Sequence, residues 1–139
     1  MVYGDTLQTK IPNETFENNS SGGSLFNHSM YEFSRQNMIK CLPGPMPLWK
    51  KKIHDMCGFF DTDSDYTDDW EMWLRAVESG CKFKKVDEIV GLYYAGGRSF
   101  DSESINMKQR KEEAKLFYKY STVFGENFFN FKPYFDQFI

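Results

Sequence analysis

The stretch that decides the fold is DDWEMWLRAVES, residues 68–79. Its apolar side chains recur at positions i, i+3, i+4 and i+7, namely Trp70, Trp73, Leu74 and Val77. This period is that of an amphipathic helix with one buried face, and Gly80 follows as its C-terminal cap. We therefore predict a helix over residues 70–79, with two carboxylates, Asp68 and Asp69, at its start.

Short elements separated by polar segments precede this helix. The pattern predicts a strand over residues 2–7, then helices over residues 31–40 and 49–56. Residues 11–30 are rich in Asn, Ser and Gly and predict a flexible loop of about 20 residues, a length that is usually functional when it is ordered. Three prolines within residues 43–47 exclude a helix or a central strand there.

Two strands, a long helix and an aromatic tail follow the helix. Residues 82–86 and 89–94 predict strands, and residues 103–120 predict a long amphipathic helix. Residues 121–139 form a tail rich in Phe and Tyr, in which Pro133 predicts an interruption between short helical turns docked on the core. Strands that alternate with helices indicate an α/β fold.

Composition narrows the class of protein. Hydrophobic residues make up 40% of the 139 positions and aromatic residues 18%, which is enough for a core, so we predict one domain over residues 1–139. The formal net charge of −3 does not favour nucleic-acid binding. No apolar run nears the roughly 20 residues that span a bilayer, and the start does not resemble a signal peptide. We expect a cytoplasmic protein without a transmembrane segment, either free or peripheral at a membrane.

Metal-binding patterns are incomplete in this sequence. The sequence contains three cysteines, Cys41, Cys57 and Cys81, which are an odd number and lack C-x-x-C spacing. This pattern predicts reduced, buried thiols and no zinc site. Asp61, Asp63 and Asp65 have the spacing of the first half of an EF-hand loop. Tyr66 stands where that loop requires Gly and Met72 where it requires Glu, so we predict no metal ligands in this chain.

The adjacent carboxylates have two interpretations. At a helix N-terminus the dipole and the free N–H groups stabilise an ionised carboxylate, and such a group facing a cleft can act as a general base. Alternatively, Asp68 is an N-cap and Glu71 its capping-box partner. Both hold together if Asp68 caps the helix while Asp69 points into a cleft.

Several motifs in a fixed order resemble the family 2 glycosyltransferases. They are LPGPMPLWK at residues 42–50, GFFD at residues 58–61 and DDWEMWLR at residues 68–75. The similarity continues through GCKF at residues 80–83, GLYY at residues 91–94 and Ser99. The resemblance covers residues 2–120, and its specificity lies in the order and spacing of the motifs together.

The resemblance implies a GT-A fold, of which this chain would be the C-terminal, acceptor-side half, with a small mixed sheet flanked by helices. It implies transfer of a sugar from a nucleotide-sugar donor to a hydroxyl acceptor with inversion, and a divalent metal, Mn²⁺ or Mg²⁺, in the complete enzyme. The second acid of the family's Glu-Asp pair is the base, a role that falls on Asp69, with Asp68 in the place of the Glu. The shorter side chain of Asp68 leaves open which of the two serves as base.

Five further residues are candidates for substrate binding. Trp49 follows the proline segment, and it either stacks on a sugar or packs in the core. Trp70 follows the two carboxylates in the sequence, and it either stacks on a sugar or packs in the core. Arg75 either pairs with acids across the cleft or forms a surface salt bridge. Arg98 and Ser99 fall in a loop that, in the family, often closes over the donor phosphates.

The sequence departs from the family in one large respect. The family's nucleotide-binding units and its D-x-D metal motif lie upstream of the strand that residues 2–7 resemble, and this chain has no counterpart of them. We expect the isolated chain to be a poor or inactive enzyme, and to associate with itself or with a missing N-terminal half. The alternative class is a non-catalytic module that binds a carbohydrate or a protein in the former cleft. The sequence specifies neither donor nor acceptor.

Overall fold

Two parallel strands form a small sheet, and helices flank it, so the fold is mixed α/β. The computed structural model describes residues 1–97 and 103–139. The strands are β1, Val2–Thr9, and β2, Lys84–Tyr94. The α-helices are α1, Lys52–Cys57; α2, Asp68–Glu78; α3, Glu103–Lys119; and α4, Glu126–Phe135. Short 3₁₀ helices cover Asn27–Ser29, Gln36–Lys40 and Asp136–Phe138. No helix in the described ranges is long and apolar enough to cross a membrane.

Strand β2 replaces the two strands that the sequence predicts at residues 82–86 and 89–94. The polar pair Asp87-Glu88 is typical of a turn, yet the chain stays extended there and absorbs the extra residues as shifts in its register with β1. Gly4 lies opposite this irregularity, where a Cβ would stand 2.6 Å from the carbonyl oxygen of Glu88. The prediction of a mixed sheet is also wrong for the described residues, because both strands run in the same direction.

The other edge of β1 is covered by two irregular segments. Val2 and Leu48 exchange backbone hydrogen bonds of 2.8 Å in each direction, so the end of the proline segment lies against the start of the strand. The N–H of Phe26 donates to the carbonyl of Thr6 at 2.7 Å, and Leu25 bridges Leu7. The long polar loop therefore returns to the sheet and brings its last residues beside the C-terminal end of β1.

Helix α2 packs its apolar face into the core, as the sequence predicts. Trp70, Trp73, Leu74 and Val77 are all buried, and the Trp70 indole N–H donates to the Met38 carbonyl at 2.8 Å. This bond anchors the helix on Gln36–Lys40. Gly80 follows the helix with φ of 82°, a left-handed conformation that favours glycine.

Several predicted helices differ in extent from the observed ones, and the helix predicted over residues 49–56 begins only at Lys52. The helix predicted over residues 31–40 is reduced to Gln36–Lys40, because the Ser34 hydroxyl accepts the Asn37 N–H and starts a turn there. The preceding Tyr31 carbonyl accepts the Tyr3 hydroxyl instead of a helical N–H. Helix α4 also runs through Pro133, where an interruption was predicted, and its Phe135 ring stacks on Phe117 with centroids 4.2 Å apart.

Candidate functional site

An open pocket of about 910 Å³ lies between the start of α2, the end of β2 and the facing sides of α3 and α4. Its walls include Asp69 and Trp70 from α2 and Tyr93 from β2. His28 from the returning loop and Arg110 from α3 also line it. The pocket therefore collects polar and aromatic side chains from parts of the chain that are distant in sequence.

Asp69 is the carboxylate of α2 that lines this pocket. Its Oδ1 accepts the Trp70 N–H at 2.6 Å, which fixes the side chain in the first turn of the helix. Asp69 is an exposed residue whose carboxylate reaches solvent through the pocket, and the pocket walls desolvate it only in part. This partial desolvation raises the pKa of Asp69 and the charge of Asp68 adds to the rise, whereas the bond from Trp70 opposes it.

An acid in this setting has the properties of a general base. The first turn of α2 keeps its oxygens oriented, and the raised pKa strengthens its affinity for a proton. Among the described residues, no cation forms an ion pair with Asp69. The carboxylate is therefore free to bind a hydroxyl group of a ligand in the pocket.

The capping-box interpretation of Asp68 and Glu71 is wrong. The helix begins at Asp68 itself, and the residue in the N-cap position is Thr67, whose side chain makes no capping hydrogen bond. Glu71 points into the protein instead of back to the helix start, with 4% of its side chain exposed. It accepts hydrogen bonds from Arg75, Lys119 and Tyr120.

Arg75, a candidate for substrate binding, is engaged away from the pocket. Its Nη2 lies 2.7 Å from Glu71 Oε2 and 2.7 Å from the carbonyl oxygen of Phe59, and its Nη1 donates to the carbonyl of Cys57. The guanidinium thereby ties α2 to the C-terminal end of α1. Among the described residues, Arg75 pairs with no acid across the pocket, and its ion pair is made within α2 with the buried Glu71.

The two candidate tryptophans occupy different places. Trp70 is among the residues that line the pocket, although only 4% of its surface is exposed. Trp49 does not reach the pocket. Its indole N–H donates to His54 Nε2 at 3.1 Å, and its ring packs edge-on against Trp73 with centroids 5.1 Å apart.

The remaining sequence-based candidates fall outside this pocket or outside the described residues. Asp68 starts α2 but does not line the pocket. Arg98 and Ser99 lie outside the described residues. In the acidic loop, Asp65 pairs with Lys108, and within residues 1–97 and 103–139 no group of three or more His, Cys, Asp or Glu could hold a metal ion.

Three basic pocket residues, and a thiol beside Asp69, were not predicted from the sequence. Lys40, Arg110 and His28 line one pocket because the loop at residues 24–30, the Gln36–Lys40 turn and α3 converge. Burial raises the pKa of the Cys41 thiol, and the charges of Asp69 and Glu113 raise it further, so this free thiol stays protonated. The only sequence signal was indirect: the last residues of a long loop often carry function.

Comparison with known proteins adds no relative to this picture. No family model, no curated protein and no solved structure matches the chain.

Proposed function

We propose that this chain is the acceptor-side portion of a family 2 glycosyltransferase with the GT-A fold. Its reaction is the transfer of a sugar from a nucleotide-sugar donor to a hydroxyl acceptor with inversion. The observation that carries the proposal is the position of Asp69. The second acid of the DDWEMWLR motif, residues 68–75, lines the pocket from the first turn of α2.

Asp69 serves as the general base in this proposal. Its carboxylate takes the proton of the acceptor hydroxyl while the hydroxyl oxygen attacks the anomeric carbon of the donor sugar. The new C–O bond forms as the bond to the nucleotide diphosphate breaks, and the attack from the opposite side inverts the anomeric centre. Asp68 does not line the pocket, so we assign the proton transfer to Asp69.

The resemblance also implies Mn²⁺ or Mg²⁺, which would balance the charge of the donor diphosphate. The described residues do not bring together a set of ligands that fits such an ion. The chemistry proposed for this chain is therefore limited to holding the acceptor and accepting its proton.

A transfer assay tests the function. Because the isolated chain is expected to be slow, it is incubated at high concentration and for long times with an array of nucleotide-sugar donors and saccharide acceptors in the presence of Mn²⁺, and nucleotide release and product mass are measured. We expect Asp69→Asn to lower the transfer rate by about 10²- to 10⁴-fold, the usual contribution of a general base. The matched control is Asp63→Asn, which removes an exposed carboxylate outside the pocket.

Each outcome of this assay decides between the classes of function. Transfer that Asp69→Asn abolishes, with inverted anomeric configuration by NMR, supports the proposal. Saccharide binding without transfer from any donor, and with the same affinity in Asp69→Asn as in wild type, favours the carbohydrate-binding module. Transfer that is equally fast in Asp69→Asn and wild type removes Asp69 from the mechanism.

A further inference from the structure

We propose that the pocket selects acceptors that carry a negatively charged group, a carboxylate or a phosphate, and that Lys40 binds this group with Arg110 and His28 beside it. This inference rests on the proposed function, because it names the chemical class of the acceptor for the same pocket. It starts from a cation that no carboxylate of the described chain neutralises.

Lys40 is a half-buried cation held between aromatic rings. Its Nζ lies 5.2 Å from the centroid of Tyr31 and 5.4 Å from that of Phe131, and all three residues line the pocket. These cation–π contacts hold the ammonium in place without neutralising its charge. Within the part of the chain that the structure describes, Lys40 forms no ion pair with an Asp or Glu.

Two further groups make this part of the pocket favourable for an anion. Arg110 pairs with Glu113 at 2.5 Å, yet 40% of its side chain stays exposed, so it retains donors for a ligand. Burial lowers the pKa of His28, and the charges of Arg110 and Lys40 lower it further. His28 is thus a neutral imidazole that can donate a hydrogen bond, in a place where the potential from both cations is positive.

The pocket keeps its unpaired cation and its unpaired carboxylate apart. Lys40 and Asp69 line the same cavity, but they form no ion pair with each other. A ligand with one anionic group and one free hydroxyl satisfies both, because the ammonium takes the anion and the carboxylate takes the hydroxyl proton. A neutral sugar would leave the Lys40 ammonium without a counter-charge.

Aromatic side chains complete a site of saccharide character. The rings of Phe26 and Tyr93 lie 4.2 Å apart by their centroids, and His28 follows Phe26 at 4.7 Å. These rings are tilted by 33° and 52° to one another, and they give the pocket an aromatic wall against which the apolar face of a sugar ring can pack. The charged group and the ring of an acidic sugar would therefore meet different walls of one pocket.

The test is a set of calorimetric titrations of the whole chain with glucose, glucuronate, glucose 6-phosphate and UDP at low salt. We expect glucuronate or glucose 6-phosphate to bind about tenfold more tightly than glucose, the strength of one charge-assisted hydrogen bond. The comparison of these two anions shows whether a carboxylate or a phosphate is preferred. Lys40→Gln should abolish the preference, whereas Lys40→Arg should retain it.

Lys50→Gln is the matched control, because it removes one positive charge from an exposed lysine outside the pocket. Thermal unfolding of each variant shows that a lost preference does not come from a lost fold. Equal binding of glucose and the anionic sugars overturns the inference and leaves the proposed function standing. A Lys40 effect confined to UDP also overturns it, since the cation would then serve the donor diphosphate. Failure of every saccharide to bind at millimolar concentration overturns this inference, while the transfer assay with an array of acceptors decides the proposed function separately.

Discussion

Glu71 and Arg75 lie one turn apart on helix α2, and Nη2 of Arg75 stands 2.7 Å from Oε2 of Glu71. Nε of the same guanidinium lies 2.9 Å from that oxygen and 3.1 Å from Oε1, so the guanidinium contacts both oxygens of the carboxylate. Lys119 and the Tyr120 hydroxyl approach the other oxygen, Oε1, from the end of α3. The pair therefore joins α2 to α1 and α3 at a buried carboxylate, next to the helix turn that presents Asp69.

Replacing Glu71 with Gln should destabilise the chain by about 2 to 3 kcal/mol. The substitution keeps the size of the side chain but removes the charge that compensates Arg75 and Lys119, and breaking a buried pair from one side costs about 3–5 kcal/mol when the remaining partner has no access to water. Because 26% of the Arg75 side chain is exposed, water can partly solvate the guanidinium that loses its partner, and we expect a loss at or below the low end of that general range. The free energy of unfolding in urea measures it. Glu78→Gln, an exposed control on the same helix, should change stability by less than about 0.5 kcal/mol.

The pH dependence of this difference follows from the pKa of Glu71. Burial alone would raise that pKa, but the hydrogen bonds from Arg75 and Tyr120 outweigh it, so the pKa is lowered on folding. A lowered pKa stabilises the fold above the unfolded value of about 4.3, and the stabilisation is lost as the pH falls through the folded value. The gap in unfolding free energy between wild type and Glu71→Gln should thus be constant from neutral pH to about pH 5 and close below about pH 4. A gap that widens on acidification would contradict this role of Glu71.

The sequence alone could predict helix α2 but not what its polar residues do. A 3.6-residue period is a local property, and it survives in the structure as the buried face of Trp70, Trp73, Leu74 and Val77. The buried position of the Glu71 side chain depends on hydrogen bonds from Lys119 and Tyr120, which are 48 and 49 residues away in the chain. Local chemistry favours a capping box for a Glu at that spacing, and tertiary contacts override this preference.

The candidate site divides in the same way. The motif and the helix start that single out Asp69 as a candidate are local features of the sequence. In the structure this residue lines the pocket. Nothing in the local sequence distinguishes Lys40 from other basic residues, and its place in the pocket beside Phe131 of α4 depends on tertiary contacts. In strand β2 a local signal was misleading. Asp87-Glu88 resembles a turn in the sequence, and only the pairing with β1 keeps the chain extended there.

Trp49→Phe should lower stability by about 1 kcal/mol without altering saccharide binding. The phenyl ring keeps much of the contact with Trp73, but it cannot donate to His54 Nε2, so the net loss is about one hydrogen bond. Trp70→Phe is the matched comparison, since it also loses an indole hydrogen bond, to Met38, but lies in the pocket wall. Urea unfolding and glucuronate titration of both variants test the two roles. Weaker saccharide binding in Trp49→Phe would restore Trp49 as a sugar-stacking residue.

Gly4→Ala should destabilise the chain by about 2 kcal/mol or more, whereas Gly91→Ala should cost less than about 1 kcal/mol. A Cβ on Gly4 would stand 2.6 Å from the Glu88 carbonyl oxygen, and backbone in a strand cannot move without disturbing the sheet. A Cβ on Gly91 would meet Met46 Cγ at 2.6 Å, but this side chain is flexible and 39% exposed. Thermal and urea unfolding compare the two. Equal losses would mean that the β1–β2 register is softer than the close approach at Gly4 indicates.

Asp69→Asn should raise the stability of the chain at neutral pH while it removes transfer activity. Desolvation and the neighbouring Asp68 raise the pKa of Asp69, so the ionised form is less favourable in the folded than in the unfolded chain. The amide removes this cost and can still accept the Trp70 N–H. The favourable helix dipole and the access of solvent to the pocket reduce the gain, and we expect less than about 1 kcal/mol.

The sign of the pH dependence distinguishes this effect from a general benefit of removing charge. A raised pKa means that wild type recovers stability as the pH falls through the folded pKa of Asp69, so its deficit relative to Asp69→Asn should be largest near pH 7. The deficit should vanish below the unfolded value of about 3.9, where both states are protonated. Asp63→Asn, which removes an exposed carboxylate outside the pocket, is the control for the loss of one negative charge. If Asp69→Asn were less stable than wild type at pH 7, the carboxylate would be a stabilising cap of α2. The interpretation of Asp69 as a general base whose ionised form destabilises the fold would then fail.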